Sequence, residues 1–170
     1  MVFILSLLLC LLLCTACNTT KFVPQNQYLL NKAYVKVEDT KDVASSELRT
    51  YLQQKPNTEI LGFWKLQLGI YNTASLDTTK WTSRNARKIG EAPVVFSSSL
   101  TNLSAQQLKL AMKNRGYFNA EVDTTMEIKK RKVNLTYHIT AEEPYTIRHY
   151  YVDFAHAELR QIAQNMRFAF

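Results

Sequence analysis

The sequence predicts an α+β unit, and three observations predict it. An alternating apolar stretch lies near residue 30, two later segments carry helical apolar spacing, and two strongly alternating segments between residues 121 and 141 oppose each other as a hairpin. A chain of 170 residues has room for one domain plus extras. With 46% apolar residues and only 4 Gly and 4 Pro, most of it can bury a core. The net charge of +7 suits an anionic partner such as nucleic acid, phospholipid headgroups or lipopolysaccharide, and says nothing about fold.

Before the fold comes a leader. Residues 1–16 hold 14 apolar residues and no charge, a run short for a membrane span of about 20 residues and suited to an export signal. Cys14-Thr15-Ala16-Cys17 resembles the lipobox of bacterial lipoproteins, which implies that Cys17 is the lipidated first residue of the mature chain. The alternatives are an ordinary signal peptide cleaved nearby or a short anchor helix. All three cysteines lie in these first 17 residues, so the body has no disulfide framework, no cysteine zinc site and no thiol nucleophile.

Residues 17–27 are polar around Pro24 and read as a tether. Leu29 to Glu38 alternates at Ala33, Val35 and Val37 and reads as the first strand. Ala44, Leu48, Tyr51 and Leu52 recur at helical spacing; Asp42 or Ser45 can cap that helix, and Pro56 stops it. Residues 55–100 form an insertion. Ile60 to Tyr71 is apolar enough for a buried strand or a helix, and periodicity leaves both open. Lys80, Trp81, Arg84, Arg87 and Lys88 follow, a mix of cations and an indole that reads first as a solvated face and second as a base-stacking or headgroup surface.

The second helix carries a capping box with Ser104 as N-cap and Gln107 reaching back, and Leu103 and Leu108 are spaced as a hydrophobic staple. Its buried stripe is Leu108, Ala111 and Met112; Arg115 suits the last turn, and Gly116 supplies a left-handed stop. The hairpin then pairs Ile128 with Val133, Met126 with Leu135, Thr124 with Tyr137 and Val122 with Ile139, so that inward residues oppose inward residues. Lys129-Lys130-Arg131-Lys132 becomes a four-residue turn of type I geometry and a solvated tip. After Pro144 a strand from Tyr145 to Phe154 and a helix from Ala157 to Met166 read as the start of a second, truncated unit over 143–170.

Catalytic chemistry needs a constellation, and none is found: there is no Gly-x-Ser-x-Gly, no glycine-rich phosphate loop and no His-Glu-x-x-His. Of the imidazoles His138, His149 and His156, the first opposes Asp123 and reads as a surface cross-strand contact, not a metal ligand. The sequence therefore implies no enzyme, no metal and no cofactor.

Strand, helix, helix ending in Gly116-Tyr117-Phe118, hairpin, and the run Glu142-Glu143-Pro144-Tyr145-Thr146-Ile147 before a new strand resemble the polypeptide-transport-associated (POTRA) domains of the BamA/TamA family of outer-membrane assembly proteins. The resemblance covers residues 28–170 and implies a small mixed sheet with two helices packed on one face, here with an insertion, over 28–142. It further implies a lipid-anchored arm at the periplasmic face of the outer membrane, handling unfolded outer-membrane proteins beside other assembly subunits, while the export signal speaks against a nucleic-acid-binding module. In such a unit the second strand is the usual open edge, which places client binding on Ala120, Val122, Thr124, Thr125, Met126 and Ile128. Outer-membrane lipid is then a partner through the anchor and the basic residues. The rival reading is a free-standing periplasmic lipoprotein that binds an envelope partner or ligand.

Overall fold

The computed structural model describes residues 19–61, 64–75 and 77–149. The leader with Cys17, and the stretch Tyr150–Phe170 where the sequence places a further helix and His156, lie outside the described residues. Strands β1 (Leu29–Val37), β2 (Glu121–Lys129) and β3 (Lys132–Thr140) form a mixed sheet in the order β1-β3-β2, with β3 parallel to β1 and antiparallel to β2. Helix α1 (Ser45–Leu48) runs on as a 3₁₀ turn over Arg49–Tyr51 and packs on β1, while α4 (Ser98–Lys113) packs on β2. Between them the insertion folds into two helices packed on each other, α2 (Leu66–Thr73) and α3 (Trp81–Ile89). This is the α+β architecture the sequence predicts.

Period-2 patterning explains the sheet. Ala33 and Val35 of β1 and Leu135, Tyr137 and Ile139 of β3 turn toward the helices and bury against Leu48, Leu52, Leu108, Ala111 and Met112. An extra residue, Asn31, interrupts the β1 register between Leu30 and Lys32. That irregularity lets two consecutive leucines be buried: Leu30 joins the main core, and Leu29 joins a second cluster with Val23 and Leu68. The polar stretch 17–27 is thus only partly a tether. Lys21 Nζ donates to the carbonyls of Asn72 (3.0 Å) and Ala74 (2.6 Å), and the Phe22 ring meets Tyr71 edge-on at 5.3 Å.

The helix ends differ from the sequence reading. Neither Asp42 nor Ser45 caps α1; its N-cap is Ala44, with no side-chain bond, and the helix is spent at Tyr51, well before Pro56. Helix α4 begins six residues before the Ser104 capping box, with Ser97 accepting from the Leu100 amide. Ser104 sits inside α4, fully buried, donating to the Leu100 carbonyl and accepting from the Gln53 amide. Leu103 is exposed, so no staple forms with Leu108. Ser104 and Thr101 instead lie within hydrogen-bonding reach of the Tyr137 phenol, whose pKa burial pushes up. At the other end the helix closes at Lys113, two residues short of Arg115, which donates to the Ala111 carbonyl and pairs with Glu47. Gly116 takes φ +92°, the left-handed stop the sequence predicts.

All four hairpin pairs match the predicted register. The turn does not: β2 and β3 pair up to Lys129 and Lys132, leaving a two-residue turn, Lys130 and Arg131, at φ +48° and +60°. Two positive φ values define the primed turn whose twist matches the strands, at a cost of roughly 1–2 kcal/mol for each non-glycine residue. Arg131 is held there: its carbonyl accepts from Leu29, and its guanidinium donates to the carbonyls of Val23 (2.9 Å) and Pro24 (2.7 Å). The apolar run 60–71 resolves to a short Ile60–Trp64 bridge followed by the start of α2. Residues 141–149 run on without regular structure, and the rest of the strand expected from Tyr145 to Phe154 lies outside the described residues.

Candidate strand-docking edge

Both outer strands of a three-stranded sheet present main-chain donors and acceptors, and which residues present them follows from parity. The Leu29 amide donates to the Arg131 carbonyl and the Glu38 amide to the Ile139 carbonyl, so odd-numbered residues of β3 face β1. Even-numbered residues of β3 therefore face β2, and the partners Thr140, His138, Thr136, Asn134 and Lys132 take the ladder bonds of Glu121, Asp123, Thr125, Glu127 and Lys129. The N–H and C=O groups of Val122, Thr124, Met126 and Ile128 consequently point away from the sheet. Among the described residues none of them meets a main-chain partner there.

The side chains of these same four residues lie on the helix side, opposite Ile139, Tyr137, Leu135 and Val133. Only Val122 packs against the core; Met126 and Ile128 are 53% and 56% exposed. They form an apolar strip beside four outward main-chain steps, the combination that marks a strand able to accept another. The site residues read from the sequence divide accordingly. Val122, Thr124, Met126 and Ile128 are brought together on the open edge. Ala120 is not on it: it precedes β2, is fully buried and donates its amide to the Tyr117 carbonyl. Thr125 belongs to the edge strand, but its amide faces β3 and its hydroxyl meets His138 Nε2 at 3.1 Å. His138 Nδ1 pairs with Glu38 Oε1 at 2.8 Å, so the imidazole bridges β1 and β2 across β3 and does not bond its cross-strand neighbour Asp123.

The edge of β1 is treated differently. Residues 94–96 lie along its start, with the Leu30 amide donating to the Val94 carbonyl and the Phe96 amide to the Tyr28 carbonyl. Asn57, 1% exposed, holds that segment by accepting from the Val94 amide (3.0 Å) and donating to the Ala92 carbonyl (2.7 Å). Lys65 donates to the carbonyl of Asn31, the extra residue of β1, and pairs with Glu59 at 3.6 Å. Burial pushes the Lys65 pKa down, and the Glu59 charge works against that shift. None of these insertion residues was singled out by sequence, since a lone asparagine in a polar stretch and a lone lysine within an apolar run carry no pattern.

At the end of the unit the two family motifs meet. The Tyr145 amide donates to the Gly116 carbonyl (2.8 Å), and the Phe118 ring stands edge-on to Tyr145 at 5.5 Å. A Cβ on Gly116 would lie 3.1 Å from the Tyr145 carbonyl oxygen, so glycine serves both the positive φ and the close approach. Tyr117 is buried in the core. Asp39, just past β1, accepts from the amides of Ala141 (2.8 Å) and Glu142 (2.7 Å), and these bonds hold its pKa below the usual carboxylate range. The chain thus leaves the sheet through a joint closed from both sides. Among the described residues no three His, Cys, Asp or Glu side chains gather as a metal site, and no helix is long and apolar enough to cross a membrane.

Comparison with known proteins gives a family and structural neighbours. No curated protein sequence matches the chain. Among solved structures it is similar to POTRA4 of Haemophilus influenzae BamA, with 15% identity, a TM-score of 0.42, and coverage of 71% of this chain and 98% of that one. It is similar also to the POTRA3-5 segment of the same protein, with 14% identity, a TM-score of 0.31, and coverage of 86% and 80%. Residues 33–142 match the family described as POTRA, surface antigen variable number repeat, a span that takes in most of the sheet, α1, the insertion, α4 and Gly116. The chain belongs to the POTRA family.

Proposed function

We propose that this unit is a periplasmic arm of an outer-membrane protein assembly or translocation factor, and that it holds unfolded client chains by adding an extended strand to β2. The observation that carries the reading is the open edge: four outward main-chain steps at Val122, Thr124, Met126 and Ile128 beside the exposed side chains of Met126 and Ile128. Main-chain pairing asks little of the guest's sequence, and the apolar strip favours the alternating side chains that barrel strands carry. Binding of this kind needs no catalytic group, and the unit is read as a non-enzymatic module. Cys17 is its lipid anchor at the periplasmic face of the outer membrane, and residues from 143 onward lead into a second unit through the joint at Gly116 and Tyr145.

A photo-crosslinking amino acid placed at Met126 tests the edge with a purified, urea-unfolded outer-membrane barrel protein diluted into the sample. Adducts from position 126, and none from Lys36 on β1, are the expected outcome. Equal adducts from both positions would remove the edge as the docking site. Mass spectrometry of the N-terminal peptide tests the anchor, which requires acyl chains on Cys17.

A further inference from the structure

The insertion carries a surface that the edge does not use. Helix α3 is amphipathic: Ser83 is buried, while Trp81, Arg84 and Lys88 recur at i, i+3 and i+7 on an exposed face, with Lys80 just ahead. Trp81 is 69% exposed. Among the described residues no hydrogen bond or ion pair engages the cations of Lys80, Arg84 or Lys88, whereas Arg87, turned inward, donates to the Ser75 carbonyl and lies over the Phe22 ring. Residues 55–97 hold six cations against three carboxylates, and both tryptophans of the chain, Trp64 and Trp81, fall within them.

The position of this face is set by the N-terminal segment. Lys21 and Phe22 are docked on the α2–α3 pair through the Asn72 and Ala74 carbonyls, the Tyr71 ring and Arg87. Only four residue steps separate Lys21 from Cys17, a reach of at most about 14 Å. A lipid on Cys17 would therefore hold the insertion, and not the far end of the sheet, beside the bilayer. We infer that the exposed face of α3 is an interfacial foot: it rests on anionic phospholipid, with the Trp81 indole at headgroup depth and Lys80, Arg84 and Lys88 on the phosphates. An indole beside unpaired cations on one helix face is complementary to such a surface. The foot would also fix how the arm stands, since a lipid tether alone leaves the domain free to swivel.

This inference rests on the lipid-anchor reading for where the bilayer lies, and its test separates the two. The full chain carrying Trp64→Phe, so that Trp81 is its only tryptophan, is reconstituted into phosphatidylethanolamine–phosphatidylglycerol vesicles with brominated acyl chains. The expected result is a blue-shifted Trp81 emission quenched at least about twofold, as for an indole at the membrane interface. Adding Arg84→Gln and Lys88→Gln should weaken partition of the Cys17→Ser chain onto these vesicles about fivefold per cation removed, and 1 M salt should abolish it, with circular dichroism unchanged. Trp81 emission in vesicles equal to that in buffer, in a chain shown by mass spectrometry to be acylated, overturns the foot and leaves the anchor standing. Quenching in a chain that keeps Cys17 and is shown by mass spectrometry to carry no acyl groups upholds the foot and discards the anchor.

Discussion

The two edges of the sheet are built from the same backbone chemistry and are finished differently, β1 being covered over its start and β2 open along its length. At β1 the insertion spends residues 94–96, Asn57 and Lys65 on satisfying the outward groups of Tyr28, Leu30 and Asn31 at the start of the strand. At β2 nothing is spent, and Met126 and Ile128 are left in solvent beside outward amides. Native sheets ordinarily blunt such edges because they recruit other chains. Covering the start of β1 while leaving β2 open along its whole length favours strand addition at β2, since the outward steps left on β1 are only those of Ala33, Val35 and Val37. The insertion thus bears on binding without contributing a residue to the edge strand.

That contrast can be broken from either side. The largest effect is expected from proline in β2. Thr125→Pro removes an amide that bonds to β3 and should cost on the order of 3 kcal/mol in chemical denaturation. Thr124→Pro, one residue away with its amide outward, should cost no more than about 1 kcal/mol while weakening client crosslinking. Equal losses from the two prolines would contradict the parity of the edge. Next comes Asn57→Ala, which strands the Ala92 carbonyl and the Val94 amide; about 2 kcal/mol of destabilisation and faster hydrogen exchange at Leu30 are expected, with the β2 edge unaffected.

Smaller still, Met126→Ser with Ile128→Ser should shift stability by no more than about 0.5 kcal/mol per site, because both side chains are already exposed, yet should lower client affinity. The smallest expected effect is the acid dependence of the exit joint. The Asp39 pKa is lowered in the folded state, so its contribution is fully present above the usual aspartate range and is lost as pH falls through the depressed value. Asp39→Asn should flatten that part of a pH-dependent melting curve; an unchanged curve would mean the two amides gain nothing from the charge.

What could be read from the sequence follows from where physics leaves a period. The β2–β3 register is legible because alternate residues of both strands are apolar and a one-residue slip would unpair them all. Gly116 is legible because a helix stop favours glycine. The start of α4 is hidden because its first buried residues are Thr101 and Ser104, whose hydroxyls return to the carbonyls of Ser97 and Leu100 and so look polar in the sequence while packing in the core. The turn is misread because Lys130 and Arg131 adopt a conformation usually announced by glycine or asparagine. For the candidate site, the resemblance points to β2, which does lie at an edge of the sheet, and the residues facing outward on it could not be read from the sequence. Which amides of β2 face outward depends on bonds made by Arg131 and Ile139 to β1, a long-range fact that turns the Thr125 amide inward, while Ala120 is excluded locally by its burial and by the bond from its amide to the Tyr117 carbonyl.

Amide hydrogen exchange read by NMR, with and without an extended peptide from a barrel strand, tests the central claim most directly. The account predicts that the amides of Val122, Thr124, Met126 and Ile128 slow by at least about tenfold on adding peptide, while those of Asp123 and Thr125, already in the ladder, stay as they were. Protection that arises instead at Ala33, Val35 and Val37 on β1, or no new protection at β2 while peptide binds, would contradict it.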